Sequence, residues 1–147
     1  MARVKIKFPE QNPLYNCIIP VRISDINYGN HLGNDSVLSI MHEARMQMLH
    51  SWGFTELEAG GTGLIMADVM IAFRNEAYYS EGIQVVIFAE EVTEKSFDLL
   101  YILSTIRSGA VVKIAEGKTG MVAFDYRTKK IVPMAKDLKS RLQTMEI

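Results

Sequence analysis

Four strand-like stretches follow one another with no helix between them, and this succession narrows the possible folds more than any other feature of the chain. They run from Leu64 to Arg74, Ile83 to Val92, Phe97 to Ser108 and Ala110 to Tyr126. The turn-like pieces Tyr79-Ser80-Glu81-Gly82, Thr93-Glu94-Lys95 and Ser108-Gly109 separate them. Successive strands joined this way imply antiparallel neighbours. In the first of the four, Ile65, Ala67, Val69, Ile71 and Phe73 alternate with Met66, Asp68, Met70, Ala72 and Arg74. One face is therefore apolar throughout and the other is mixed.

Ahead of these strands the period changes. Between Asp35 and Trp52, Val37, Ile40, Met41, Ala44 and Met48 fall at helical spacing, and Leu38 and Leu49 widen the stripe. A helix this apolar is largely buried. Asn34 or Asp35 can cap it, Asp35 suits the positive end of its dipole, and Gly53 follows its last turn. Earlier still, Tyr15 to Arg22 reads as a strand whose Pro20 places it at an edge. Glu58 to Gly63 reads as a flexible connection, and Ala135 to Met145 as a short, charged, peripheral helix. A sheet that has to cover one buried helix curls around it, which predicts an α+β fold in a single domain over residues 1–147. Curled sheets leave long edges, so at least a homodimer is expected.

Composition removes whole classes of function. Sixteen basic and seventeen acidic residues leave a formal charge of -1, with no cationic excess for a run of phosphates, so no nucleic-acid partner is expected. Cys17 is the only cysteine and cannot form an internal disulfide, and no Cys/His array has zinc-ligand spacing. Asp68 and Arg74 interrupt the longest apolar runs well short of a membrane span, and no apolar signal-peptide region follows the basic N-terminus. A cytoplasmic protein without membrane contact is expected.

Chemistry concentrates in one loop. Asp25, Asn27, Asn30, His31 and Asn34 lie within ten positions, directly before the apolar helix. Asp, Asn and Gly build turns and caps, and a lone His often satisfies a backbone carbonyl, so a purely structural loop is one reading. The other uses the helix end: its free N–H groups and partial positive charge can polarise a carbonyl, with His31 near enough to move a proton there.

The stretch from Arg22 through Asp25-Ile26-Asn27-Tyr28-Gly29-Asn30-His31-Leu32-Gly33-Asn34, followed by Glu43-Ala44-Arg45, resembles the start of hotdog-fold acyl-thioester hydrolases of the 4-hydroxybenzoyl-coenzyme A thioesterase group. Their pattern is roughly Asp-x-Asp-x-x-Gly-His-x-x-Asn and then a helix with Glu-Ala-Arg. Ile71 to Ile83 is similar to the family's later strand and turn. The resemblance implies one helix wrapped by a long antiparallel sheet, and hydrolysis of an acyl-CoA or acyl-carrier-protein thioester by a homodimer or dimer of dimers, without metal or redox cofactor.

Carried over by position, Asp25, His31 and Asn34 match the pattern, but Asn27 stands where many members place a catalytic carboxylate. An amide cannot take that proton. His31 is then the first candidate base, tuned by Asp25, with Asn27 and Asn34 placing substrate or water; the resemblance implies that the Asn34 backbone N–H polarises the carbonyl and that Gly33 belongs to the substrate-binding set. Glu43 and, from the other subunit, Asp68 are further candidates for the substrate pocket. Glu43 and Arg45 have a structural alternative, as charges paired with each other or across a dimer. His42 and His50 read as solvated, Cys17 as core, and the methionines as core filler or an acyl tunnel. Glycine sits one residue early, at Gly29 rather than directly before His31. Asp25-Ile26-Asn27 also fits the enoyl-CoA hydratase branch of the fold, and the missing carboxylate leaves room for a non-catalytic binder.

Overall fold

A computed structural model describes residues 1–143 of the chain. The elements in order are β1 (Tyr15–Pro20), a 3-10 turn (Ile23–Asp25), α1 (Asn34–Ser51), β2 (Gly63–Phe73), β3 (Gly82–Glu90), β4 (Ser96–Arg107), β5 (Ala110–Asp125), β6 (Lys130–Ile131) and α2 (Lys136–Leu142). The expected strands and the long helix are all present. The two-residue β6, paired to the end of β5, had no signal in the pattern.

The sheet is antiparallel in the order β1-β3-β4-β5-β2, so β1 with its Pro20 is an edge, as expected. The opposite edge is β2. Two breaks in register help the sheet bend around α1, one between Met66 and Asp68 in β2 and one between Leu103 and Ser104 in β4. The first corrects the simple alternation expected for β2. Leu64 and Met66 pair with Ala123 and Met121, whereas beyond the break Val69, Ile71 and Phe73 pair with Thr119, Gly117 and Ala115. The helix-facing set therefore changes parity at Ala67, which no period-two pattern shows.

Burial of α1 follows the helical stripe: Val37, Ile40, Met41, Ala44, Met48 and Leu49 are all buried. Met41 reaches the sheet because Gly117 has no side chain. A Cβ there would lie 2.6 Å from the Met41 methyl. Ile83, Val85 and Ile87 of β3 and Leu99, Tyr101 and Leu103 of β4 complete the core on this face. On the other face, Phe8 of the N-terminal segment packs edge-on against Phe88. The final helix is not peripheral. Leu138 and Leu142 are buried in the main core, a pair at i and i+4 that the surrounding charges obscured. The expected end of that helix, from Thr144 to Met145, lies outside the described residues.

Candidate active site

The loop before α1 is built by local hydrogen bonds. Asn27 Oδ1 accepts from the N–H of Gly29 at 2.9 Å and faces the N–H of His31 at 3.5 Å, while the Asn27 N–H donates to the His31 carbonyl. This is an Asx-type turn. Its tightest residue is Asn30, at φ 66, a left-handed conformation that asparagine tolerates. The positive φ is thus kept directly before His31 although no glycine stands there. Gly29 serves a different need: a Cβ on it would lie 3.1 Å from His31 Nε2.

Asp25 is buried and clamps the loop to the helix. Its carboxylate accepts from the backbone N–H of Arg22 at 2.9 Å and from the guanidinium at 3.2 Å, and also bonds Ser36. Burial pushes this carboxyl up, but the Arg22 contacts and Ser36 outweigh it and hold the group below the usual carboxylate range. The expected pairing of Asp25 with His31 is therefore replaced by Asp25 with Arg22. The partner of His31 is Glu76, whose Oε2 lies 3.0 Å from Nε2. The other ring nitrogen, Nδ1, lies 3.1 Å from the Leu32 carbonyl.

The helix cap also differs from expectation. Neither Asn34 nor Asp35 caps α1; the N-cap is Gly33, which has no side chain to offer. Its carbonyl accepts from the N–H groups of Ser36 and Val37, and its own N–H donates to the Asp25 carbonyl. The N–H groups of Asn34 and Asp35 have no protein acceptor among the described residues. Two donors at the positive end of an 18-residue helix are left for something else.

A cleft of about 190 Å³ opens beside Asn34, lined by His31, Asn34, Val37, Phe73, Arg74 and Glu76 among others. Phe73 ends β2, and Arg74 and Glu76 come from the segment just after it. That segment is tied to the loop, since the Leu32 N–H donates to the Ala77 carbonyl at 2.7 Å. Arg74 is held by Glu116, with Nη2 2.7 Å from Oε1.

Glu43 does not line this cleft, and Asp68 is expected there only from a second subunit. Glu43 is exposed, accepts from Gln47 on the same helix, and sits nine residues, roughly 13 Å, along the axis from Asn34. Asp68 accepts from Lys118 at 2.7 Å and from the Gly120 N–H at 3.1 Å, so its carboxylate is engaged within its own sheet. Glu43 and Arg45 do not pair with each other. Arg45 is buried and donates to Glu56 at 2.6 Å and to the Tyr101 hydroxyl at 3.0 Å. Tyr101 contacts Thr119 in turn at 2.8 Å. His42, expected to be solvated, is half-exposed and bonds the same Glu56. Sequence reading missed Glu56, Tyr101, Thr119 and Glu76, because each meets its partner only through the fold.

A family profile described as the thioesterase-like superfamily matches residues 21–142. The chain belongs to this superfamily. The match spans the loop, the helix and all of the strands that line the cleft. Solved structures show the same hotdog fold, an antiparallel sheet curled around a central helix. A 1,4-dihydroxy-2-naphthoyl-CoA thioesterase from Synechocystis, Slr0204, superposes with a TM-score of 0.77 at 18% identity, over 87% of this chain and 94% of that one. The gentisyl-coenzyme A thioesterase BH1999 gives a TM-score of 0.72 at 17% identity, over 87% and 99%. SAV2348 from Staphylococcus aureus, solved in complex with CoA, gives 0.78 at 12% identity, over 93% and 85%. No curated protein sequence matches the chain. Among the described residues no helix is long and apolar enough to cross a membrane.

Proposed function

We propose that this thioesterase-superfamily chain hydrolyses a coenzyme A thioester, with the scissile carbonyl seated at the opening of α1. The observation that carries this reading is the pair of unpartnered amides at Asn34 and Asp35 beside His31 and an open cleft. Preorganised N–H donors at a helix start stabilise the negative oxygen that develops as a thioester carbonyl is attacked. Gly33 as cap keeps those donors free, because a Ser or Asp side chain in its place would bond the first-turn amides itself. Water attacks the carbonyl carbon, the thiol leaves, and His31 carries a proton at the mouth of the cleft. Asn27 positions the His31 backbone, Asp25 the helix start, and the Asn34 side chain meets the substrate from the cleft wall.

The reading includes a second copy of the chain. β2 is an unpaired edge on which Met66, Val69, Met70 and Phe73 are all substantially exposed, which is unusual for eleven residues of strand. Pairing of two β2 edges covers this row and brings the partner next to the cleft that Phe73 lines. We place the chemistry in the cytoplasm, where a lone thiol such as Cys17 stays reduced.

Incubation of the purified protein with a panel of acyl- and aroyl-CoA esters tests the reading. Release of free thiol supports it. Loss of an enoyl chromophore without thiol release assigns the hydratase alternative, and thermal stabilisation without turnover assigns a binder.

A further inference from the structure

We propose that Glu76 is the general base of this cleft and takes the place of the carboxylate missing at position 27; the inference rests on the thioester-hydrolase reading above. Both ring nitrogens of His31 face protein oxygens. A carbonyl oxygen only accepts, so Nδ1, 3.1 Å from the Leu32 carbonyl, carries a hydrogen. Nε2 faces Glu76 Oε2 at 3.0 Å, so a proton there is shared within that pair. With both ring nitrogens turned to protein oxygens, His31 presents neither to a water in the cleft. The lone pairs at the mouth of the cleft belong to Glu76, and its 57% exposed side chain lets water reach them.

Glu76 is also held where such a base has to be. Its Oε1 accepts from the Tyr78 hydroxyl at 3.2 Å, and its backbone carbonyl accepts from Arg107 at 3.0 Å. The next residue, Ala77, bonds the backbone of Leu32 beside the imidazole. Glu76 is the carboxylate among the residues that line the cleft; Asp25 is held by Arg22, and Glu43 lies well along α1.

A water oxygen bonds to the thioester carbon as one of its protons passes to Glu76, and the carbonyl electron pair moves onto the oxygen at the Asn34 and Asp35 amides. That pair returns, the C–S bond breaks, and the leaving sulfur takes a proton from His31 Nε2. Glu76 then returns its proton to the ring across the 3.0 Å contact. One carboxylic acid and one thiol leave, and both side chains are restored.

The test compares wild type, Glu76→Gln and Glu76→Asp on a hydrolysed acyl-CoA, with either water or hydroxylamine as nucleophile. Against water, the Gln variant should lose about 10²–10⁴-fold in kcat with KM within about threefold, and Asp should recover part of the loss. Hydroxylamine needs no base to attack, so its reaction should fall far less. The kcat–pH profile should lose its acidic limb in the Gln variant, with His31, Tyr78, Arg107 and Arg74 as the other ionisable groups around that carboxylate. The melting temperature should stay within about 2 °C, since an exposed pair adds little stability. Equal losses with both nucleophiles, or Gln turnover within about threefold of wild type, overturn the assignment of Glu76 and leave the hydrolase reading standing. A wild type that releases no thiol from any ester overturns both.

Discussion

Replacing Arg45 by Met removes a buried cation but keeps most of the side-chain volume. Arg45 is 4% exposed and makes two hydrogen bonds, to Glu56 and to the Tyr101 hydroxyl. Its loss leaves Glu56, itself only 22% exposed, with His42 as its remaining ionic partner among the described residues. Breaking a buried pair from one side costs roughly 3–5 kcal/mol, and water access to Glu56 argues for the lower end, about 3 kcal/mol. For a chain of this size that corresponds to a melting temperature lower by about 6–12 °C. The double variant Arg45→Met/Glu56→Leu should regain most of it, because no charge is then left unpaired. The pH dependence has a definite sign. Burial raises the Glu56 carboxyl, but Arg45 and His42 outweigh it and hold it below the usual range. In wild type its contribution is therefore complete above the unfolded value of about 4.3 and is lost as pH falls through the folded value. Without Arg45 the burial effect prevails, so the gap between variant and wild type should narrow in acid. Thermal and urea melts of the four proteins of this cycle, at neutral and acidic pH, measure these quantities. A single variant within about 2 °C of wild type, or a strictly additive double, would refute the reasoning.

His31→Ala should abolish thiol release with its melting temperature nearly unchanged; turnover at the wild-type rate would remove His31 from the mechanism. Asn27→Ala loses the acceptor of the Asx turn. It should cost about 1–2 kcal/mol in a urea melt and slow turnover through misplacement of His31; an unaltered melt sinks that account. In Asp25→Ala the deficit should be full above about pH 4 and fade in acid, because the native carboxyl is held low by Arg22 and Ser36. A deficit independent of pH contradicts it. Val69→Lys on the open β2 edge should convert a dimer to a monomer by light scattering, and a wild type that is already monomeric refutes the paired edge.

Much of the architecture was legible because burial repeats with a period. The i, i+3, i+4, i+7 stripe from Val37 to Met48 named the face that α1 buries, and Pro20 marked an edge strand correctly. Departures occur where one residue breaks the period. The register shift at Ala67 swaps the faces of β2, and Leu138 and Leu142 are too sparse among charges to announce a buried helix. The site was legible as a place and less so as a set of contacts. His31 and Asn34 do share a cleft at the helix start. Their partners come from distant segments, Glu76 lying 45 positions beyond His31, and spacing along the chain carries no trace of such a contact. The cap was misread for a related reason: Asn34 and Asp35 have capping side chains, yet the clamp between the Gly33 N–H and the Asp25 carbonyl starts the helix one residue earlier.

The most direct test is a crystal structure with a ketone analogue of a hydrolysed acyl-CoA, in which a methylene replaces the thioester sulfur. The hydrolase account predicts the ketone oxygen within about 3 Å of the Asn34 or Asp35 nitrogen, with the acyl carbon facing His31. A ketone oxygen bound away from both amides, with the first turn of α1 still unliganded, would contradict it.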